Sequence, residues 1–223
     1  MNSIKTQVSL SFAILLFIWL TPSTVSAQTD ATPILRNLID KYEKVTTLTS
    51  EIRISIQFPE QDPVVQKAVI YQKGKKFRVD ADQQIIVSDG KTIWTYTPED
   101  NRVVLTYAEE GNEGMNFSSP HAMLKELVNK SELMWVTEHI KEGKRTVSVI
   151  ELKPKDKNEE FFKIKLHVYE PKLLLTQLQS FSKDGTRYTL WIDKSTTNPK
   201  IEEDKFVFDP KKYPGIEVED LRI

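Results

Sequence analysis

Hydrophobic residues recur along this chain with two different periods, and the change from one to the other falls between Val45 and Glu51. From Asp30 to Val45 the apolar positions Ile34, Leu35, Leu38, Ile39, Tyr42 and Val45 stand at helical spacing, with Asp30 or Thr32 placed to cap and Pro33 near the first turn. This predicts one amphipathic helix, its polar face carrying Arg36, Asn37, Asp40, Lys41 and Lys44. Then Ile52, Ile54, Ile56 and Phe58 alternate with Glu51, Arg53, Ser55 and Gln57, the period of a half-buried strand. Further strands are predicted at about Lys67 to Gln72, Lys76 to Asp80, Gln84 to Ser88, Thr92 to Tyr96 and Arg102 to Tyr107. Short turns such as Lys73-Gly74-Lys75 and Asp89-Gly90 join them, so this half reads as an antiparallel meander.

A polar loop, Ala108 to Phe117, leads to a second predicted helix with Ser118 or Ser119 as cap, Pro120 at its start and Met123, Leu124, Leu127 and Val128 as its apolar stripe. Strand signals resume at Glu132 to Ile140, Arg145 to Lys153, Phe161 to Tyr169, Leu173 to Ser182 and Arg187 to Asp193, and a last short one at Lys205 to Phe208 stops at Asp209-Pro210. Nothing alternates strand with helix as a parallel sheet would. The pattern therefore predicts a mainly β fold of about eleven antiparallel strands, curled into a strongly bent or incomplete barrel. Two short helices must bury their stripes somewhere, and the open mouth of a curled sheet is the available place. An interior covered by helices rather than filled by them would suit an acyl chain. A fully packed core would use the same residues.

The first residues read differently. One cation, Lys5, precedes the apolar run Val8 to Leu20, and Val25-Ser26-Ala27 closes the segment with small residues, the layout of a cleavable secretory leader. Residues 1–27 are thus expected to be a signal peptide and 28–223 a single exported, periplasmic domain without a stable membrane anchor. Cysteine is absent, which excludes disulfides, thiolate metal sites and acylation on an N-terminal cysteine. Thirty-one Lys and Arg against thirty-two Asp and Glu, interspersed, argue against a nucleic-acid groove. His121, His139 and His167 have no metal-ligand spacing, and Ser88-Asp89-Gly90 lacks the setting of a nucleophile elbow, so no catalysis, metal or cofactor is expected.

Three blocks carry a family likeness. Ile86-Val87-Ser88-Asp89-Gly90-Lys91-Thr92-Ile93-Trp94-Thr95-Tyr96-Thr97-Pro98 resembles the signature of the outer-membrane lipoprotein carrier family, the LolA proteins. Lys76-Phe77-Arg78-Val79 is similar to the strand before it, and Lys205 to Pro210 with Pro214 to Asp220 to the closing strand and tail. The resemblance implies an incomplete barrel of about eleven strands with a helical lid over an apolar cavity for lipoprotein acyl chains. It implies acylated lipoproteins as cargo, an inner-membrane ABC-type releasing complex as donor, and an outer-membrane acceptor, itself a lipoprotein receptor in that family. The same fold admits an envelope-stress lipoprotein sensor or a free-lipid carrier as alternatives. The cavity is assigned to Ile52, Ile54, Ile56, Phe58, Val69, Tyr71, Phe77, Val79, Trp94 and Tyr96, and the lid to Leu35, Leu38, Ile39, Met123, Leu124 and Leu127. The likeness departs at Lys73-Gly74, where the family usually has Arg-Pro. Lys73 is then either a weaker latch for the lid or an ordinary solvated turn residue.

Overall fold

The computed structural model describes residues 29–108 and 120–222. The expected leader, most of the polar loop and the two serine caps lie outside the described residues. In chain order the elements are β1 (Thr29–Asp30), α1 (Thr32–Glu43), β2 (Thr47–Gln57), β3 (Val64–Lys73), β4 (Lys76–Ala81), β5 (Ile85–Ser88), β6 (Thr92–Thr97) and β7 (Arg102–Tyr107). There follow α2 (Pro120–Lys130), β8 (Ser131–Glu142), β9 (Arg145–Pro154), β10 (Phe161–Tyr169), β11 (Leu174–Ser182), β12 (Arg187–Thr197) and β13 (Glu217–Asp220). All thirteen strands join one sheet in the order β1-β8-β9-β10-β11-β12-β2-β3-β4-β5-β6-β7-β13. Its two edges, β1 and β13, do not meet, so the sheet is an incomplete barrel. Every pairing is antiparallel except that of β13 with β7.

Register decides which side chains share a face, because opposed residues in neighbouring strands point the same way. Ile52 opposes Ala68 and Ile192, Ile70 opposes Val79, and Val79 opposes Ile86. On the far side Leu190 opposes Leu178, Leu178 opposes Leu166, and Leu166 opposes Ile150. These residues form the concave wall. Both helices pack into it, and α1 also packs on α2. Leu35, Leu38 and Leu124 are at most 1% exposed there, so the helices fill the concave side instead of roofing an empty room. The packing is incomplete at one end, where a small apolar gap remains between helices and wall. Helix stripes as wide as these gain about 25 cal/mol per Å² of apolar surface removed from water, and the sheet's curvature lets them approach.

The convex side carries a second cluster, with Val87, Tyr96, Val103, Leu105 and Phe208 buried and Trp94, Tyr213 and Ile216 packed on them. The C-terminal tail makes this cover. Phe208 and Tyr213 stack with centroids 5.0 Å apart, and Tyr96 lies 4.4 Å from Tyr213. Arg102 pairs with Glu219, and Glu217 to Asp220 runs alongside Arg102 to Leu105.

Three expectations need correcting. Residues 203–206 form a 3-10 turn, so the segment Lys205 to Phe208 is not a strand. Its two phenylalanines are buried as separate anchors of the tail, which mimics alternation. The closing strand is instead β13, whose acidic sequence gives little strand signal. At α1 the N-cap position is Ala31, without a side-chain cap; Asp30 Oδ1 accepts from the Thr32 amide at 2.9 Å.

Candidate functional site

Where α1 ends and α2 begins, the two helices and the concave wall do not close completely. An apolar cavity of about 70 Å³ lies between Tyr42 of α1, Met123 and Pro120 of α2, and Leu48, Ile52, Ile70, Leu175, Leu190 and Ile192 of the sheet. Ser50, Gln72 and Ser195 add polar atoms at its side. A cavity of roughly 150 Å³ accepts benzene, so this one holds no acyl chain unless the helices move. Tyr42, Leu48, Gln72 and Pro120 also line a wider depression of about 370 Å³ that continues outward past Val45, Thr46, Gly74 and Lys75. The small cavity is therefore the inner end of a larger mouth. Burial raises the Tyr42 phenol above its ordinary pKa, partly offset by a hydrogen bond to the Leu175 backbone, so the ring stays neutral and apolar toward the cavity.

Lys41 gives helix α1 a long polar tie to a turn at the sheet's rim. Lys41 Nζ donates to the carbonyl oxygens of Lys172 at 2.7 Å and Leu173 at 3.0 Å, in the turn between β10 and β11. Leu173 is left-handed, with φ +46°, and this turn aims both carbonyls at the helix. Burial lowers the Lys41 pKa below the usual lysine value. Beside this tie a polar depression of about 480 Å³ is lined by Asn37, Asp40, Lys41, Lys44, Leu173 and Asn198 among others. Sequence gave no hint of this tie, since Lys41 reads as one of several solvated cations.

The six residues assigned to the lid all reach the concave cluster, with Leu35, Leu38 and Leu124 buried and Ile39, Met123 and Leu127 partly so. The ten assigned to the cavity divide. Ile52, Ile54, Phe77 and Val79 belong to the concave cluster, and Ile56 shares their face, opposing Val64 and Tyr188. Phe58, beyond the end of β2, is 45% exposed at the rim. Val69, Tyr71, Trp94 and Tyr96 point to the convex side, because Ala68 and Ile70 on β3 and Ile93 on β6 hold the concave positions. Lys73 also leaves on the convex side, where its ammonium lies 2.5 Å from Glu203. Lys76 is 2.8 Å from the same carboxylate, and these two partners hold the Glu203 pKa down to about 2. Lys73 thus ties the tail to a hairpin and does not reach the helices.

Polar clusters elsewhere have other geometry. Ser148 Oγ lies 2.9 Å from His139 Nδ1 and also contacts Glu170 Oε1, so its hydroxyl stands between imidazole and carboxylate. A nucleophilic serine needs the carboxylate on the far nitrogen of the histidine, and Ser148 is 2% exposed. His167 Nδ1 meets Glu142 at 2.6 Å. Among the described residues no group of three or more His, Cys, Asp and Glu is placed to hold a metal, and no helix is long and apolar enough to cross a membrane.

Comparison with known proteins agrees with the fold. An uncharacterized protein of Methanocaldococcus jannaschii is 26% identical over 185 residues, covering 82% of this chain and 52% of that protein. The outer-membrane lipoprotein carrier protein of Coxiella burnetii is 32% identical over 102 residues, covering 43% of this chain and 45% of the carrier. The chain thus spans about half the length of the curated relatives it matches. Among solved structures, an uncharacterized conserved protein from Thermus thermophilus superposes with a TM-score of 0.56 at 10% identity, over 86% of this chain and 99% of that one. MucB superposes at 0.52 and 12% identity, over 80% of this chain and 62% of its own. At such identities these two structures share the fold. Residues 42–209, from the end of α1 through the tail's first anchors, match the family of outer membrane lipoprotein carrier protein LolA, and the chain belongs to that family.

Proposed function

We propose that this chain is a periplasmic carrier that takes the acyl chains of lipoproteins between its two helices and the concave wall. Its donor on this reading is an ABC-type releasing complex of the inner membrane, and its acceptor an outer-membrane receptor. No covalent chemistry is involved. The reading is carried by the apolar gap of about 70 Å³ that opens into a mouth of about 370 Å³ at the meeting of α1 and α2.

The energetics suit reversible carriage. Each methylene kept out of water is worth about 0.8 kcal/mol, so several acyl chains demand far more apolar wall than the cavity now offers. Leu35, Leu38 and Leu124 occupy that wall in the closed form. Cargo must displace them, and their return favours release. Lys41 holds α1 shut through two carbonyls on a turn, and such hydrogen bonds can be exchanged for water when the helix swings out.

A second reading, a carrier of free lipid, is favoured by Lys41 and Lys44 in the polar depression beside the mouth, where a phosphate could sit. One experiment separates them. Purified protein is incubated with spheroplasts, and the soluble fraction is analysed for acylated lipoproteins and phospholipid. Lipoprotein leaving with wild type, but not with folded Leu38→Glu or Ile54→Glu, is the expected outcome. Phospholipid alone favours the second reading, and unchanged lipoprotein release by Ile54→Glu contradicts the pocket.

A further inference from the structure

The tail covers the convex face over β4 to β7, and the other half of that face, from β10 across β11, β12 and β2 to β3, has a different chemistry. Register places Lys163 beside Phe181 and Phe181 beside Arg187 in one row across the strands. The next row holds Lys165, Gln179, Thr189, Ser55 and Val65, and the next His167, Gln177, Trp191, Arg53 and Lys67. Five cations, Lys163, Lys165, Arg187, Arg53 and Lys67, therefore share this surface. Opposing them on the same strands is Asp193, held by Arg53 through two contacts of 2.8 Å. Glu51 lower down pairs with Lys194, while Glu151 and Glu138 of β9 and β8 flank Lys165. The remaining acids nearby, Glu60, Asp62, Glu160 and Asp184, sit on turns at the rim.

Apolar groups stand among the cations. Phe162 is 50% exposed and Val65 52% exposed. The Phe162 and Phe181 rings lie 6.4 Å apart, with Lys163 Nζ 4.5 Å from the centre of Phe181 and the Arg187 guanidinium 6.0 Å from it. Lys163 and Arg187 thus lie over a ring instead of against a carboxylate, which keeps their charge available to an outside anion.

We propose that this half of the convex face docks on an anionic phospholipid bilayer, with Phe162, Phe181 and Val65 at the level of the acyl-headgroup boundary and Lys163, Arg187 and Lys67 on the phosphates. The charge complementarity carries the choice of partner: the exposed Phe162 and Val65, interleaved with Lys163 and Arg187 on a gently curved sheet, match a headgroup layer, which presents anions and apolar surface in the same plane. Docking by the convex side leaves the mouth between α1 and α2 facing away from the sheet's bilayer contact. The site is independent of acyl carriage, so either proposal stands if the other fails.

The test uses the empty protein and intact vesicles. Sedimentation is compared on phosphatidylcholine alone and on phosphatidylcholine with about one-third phosphatidylglycerol, at low and high salt, the vesicle composition chosen to supply surface charge. Binding to the anionic vesicles alone, weakened by salt, is expected, with Lys163→Glu and Arg187→Glu each lowering it about fivefold or more and Phe162→Ser lowering it at both salt concentrations. All three are surface changes, and circular dichroism checks each for folding. Equal binding to both vesicle types, no binding to either, or folded variants that bind like wild type would overturn the proposal. Capture of an acidic protein by the same face without vesicle binding would do so too.

Discussion

One sheet presents two covered faces here, and the covers differ in how they are attached. The convex cover is held by a strand ladder, the Arg102–Glu219 pair, and three aromatic rings in mutual contact. The concave cover consists of two helices held mainly by nondirectional apolar contact, with Lys41 as a polar tie and an unfilled gap beside it. Directional contacts fix a segment in one place, whereas apolar contacts accept any hydrocarbon of suitable shape. On the proposed reading, this contrast would leave the tail a permanent part of the barrel and the helices an exchangeable filling.

Substitutions can break this contrast or sharpen it. The largest effect is expected from Phe208→Ala, since Phe208 is 4% exposed within the convex cluster. It should cost about 3–5 kcal/mol in urea unfolding while the folded protein still binds a lipopeptide. Loss of binding in that folded variant would mean that the two covers are not independent. Next, Leu38→Ala should cost about 2–5 kcal/mol, but part of this loss should be recovered when lipopeptide is present, because ligand occupies the vacated wall. No recovery would mark Leu38 as ordinary core.

Smaller effects concern the polar ties. Lys41→Met should lower the opening free energy of α1 by about 1 kcal/mol, read as faster amide exchange in α1 with the β13 amides unchanged. Glu203 gives the smallest effect and a pH signature. Its pKa falls on folding from 4.5 to about 2, so it adds stability above pH 4.5 that is lost as pH falls toward 2. Glu203→Gln should remove that part of the acid dependence, and Lys73→Met should reduce it.

Much of this was legible in the amino-acid sequence, and the gaps have physical causes. Eleven strands and both helices follow from periodicity, because each is long enough to show several repeats. The strand face does not follow. On β6 both Ile93 and the pair Trp94 and Tyr96 are covered, from opposite sides, so apolar character fails to distinguish inside from outside. The tail hid β13 behind three acids and offered Phe206 and Phe208 in its place. Lys41 and Lys73 were indistinguishable as charges. Only the positive-φ turn at Leu173, which no local motif announces, brings two carbonyls to the first of them.

The central claim is that the helices, and not the tail, yield to cargo. Amide hydrogen exchange with and without a synthetic triacylated lipopeptide tests it most directly. The account predicts that lipopeptide lowers protection in α1 and α2 and leaves β7 and β13 unchanged. Unaltered or increased protection of both helices with bound lipopeptide, or opening of β13 instead, would contradict it.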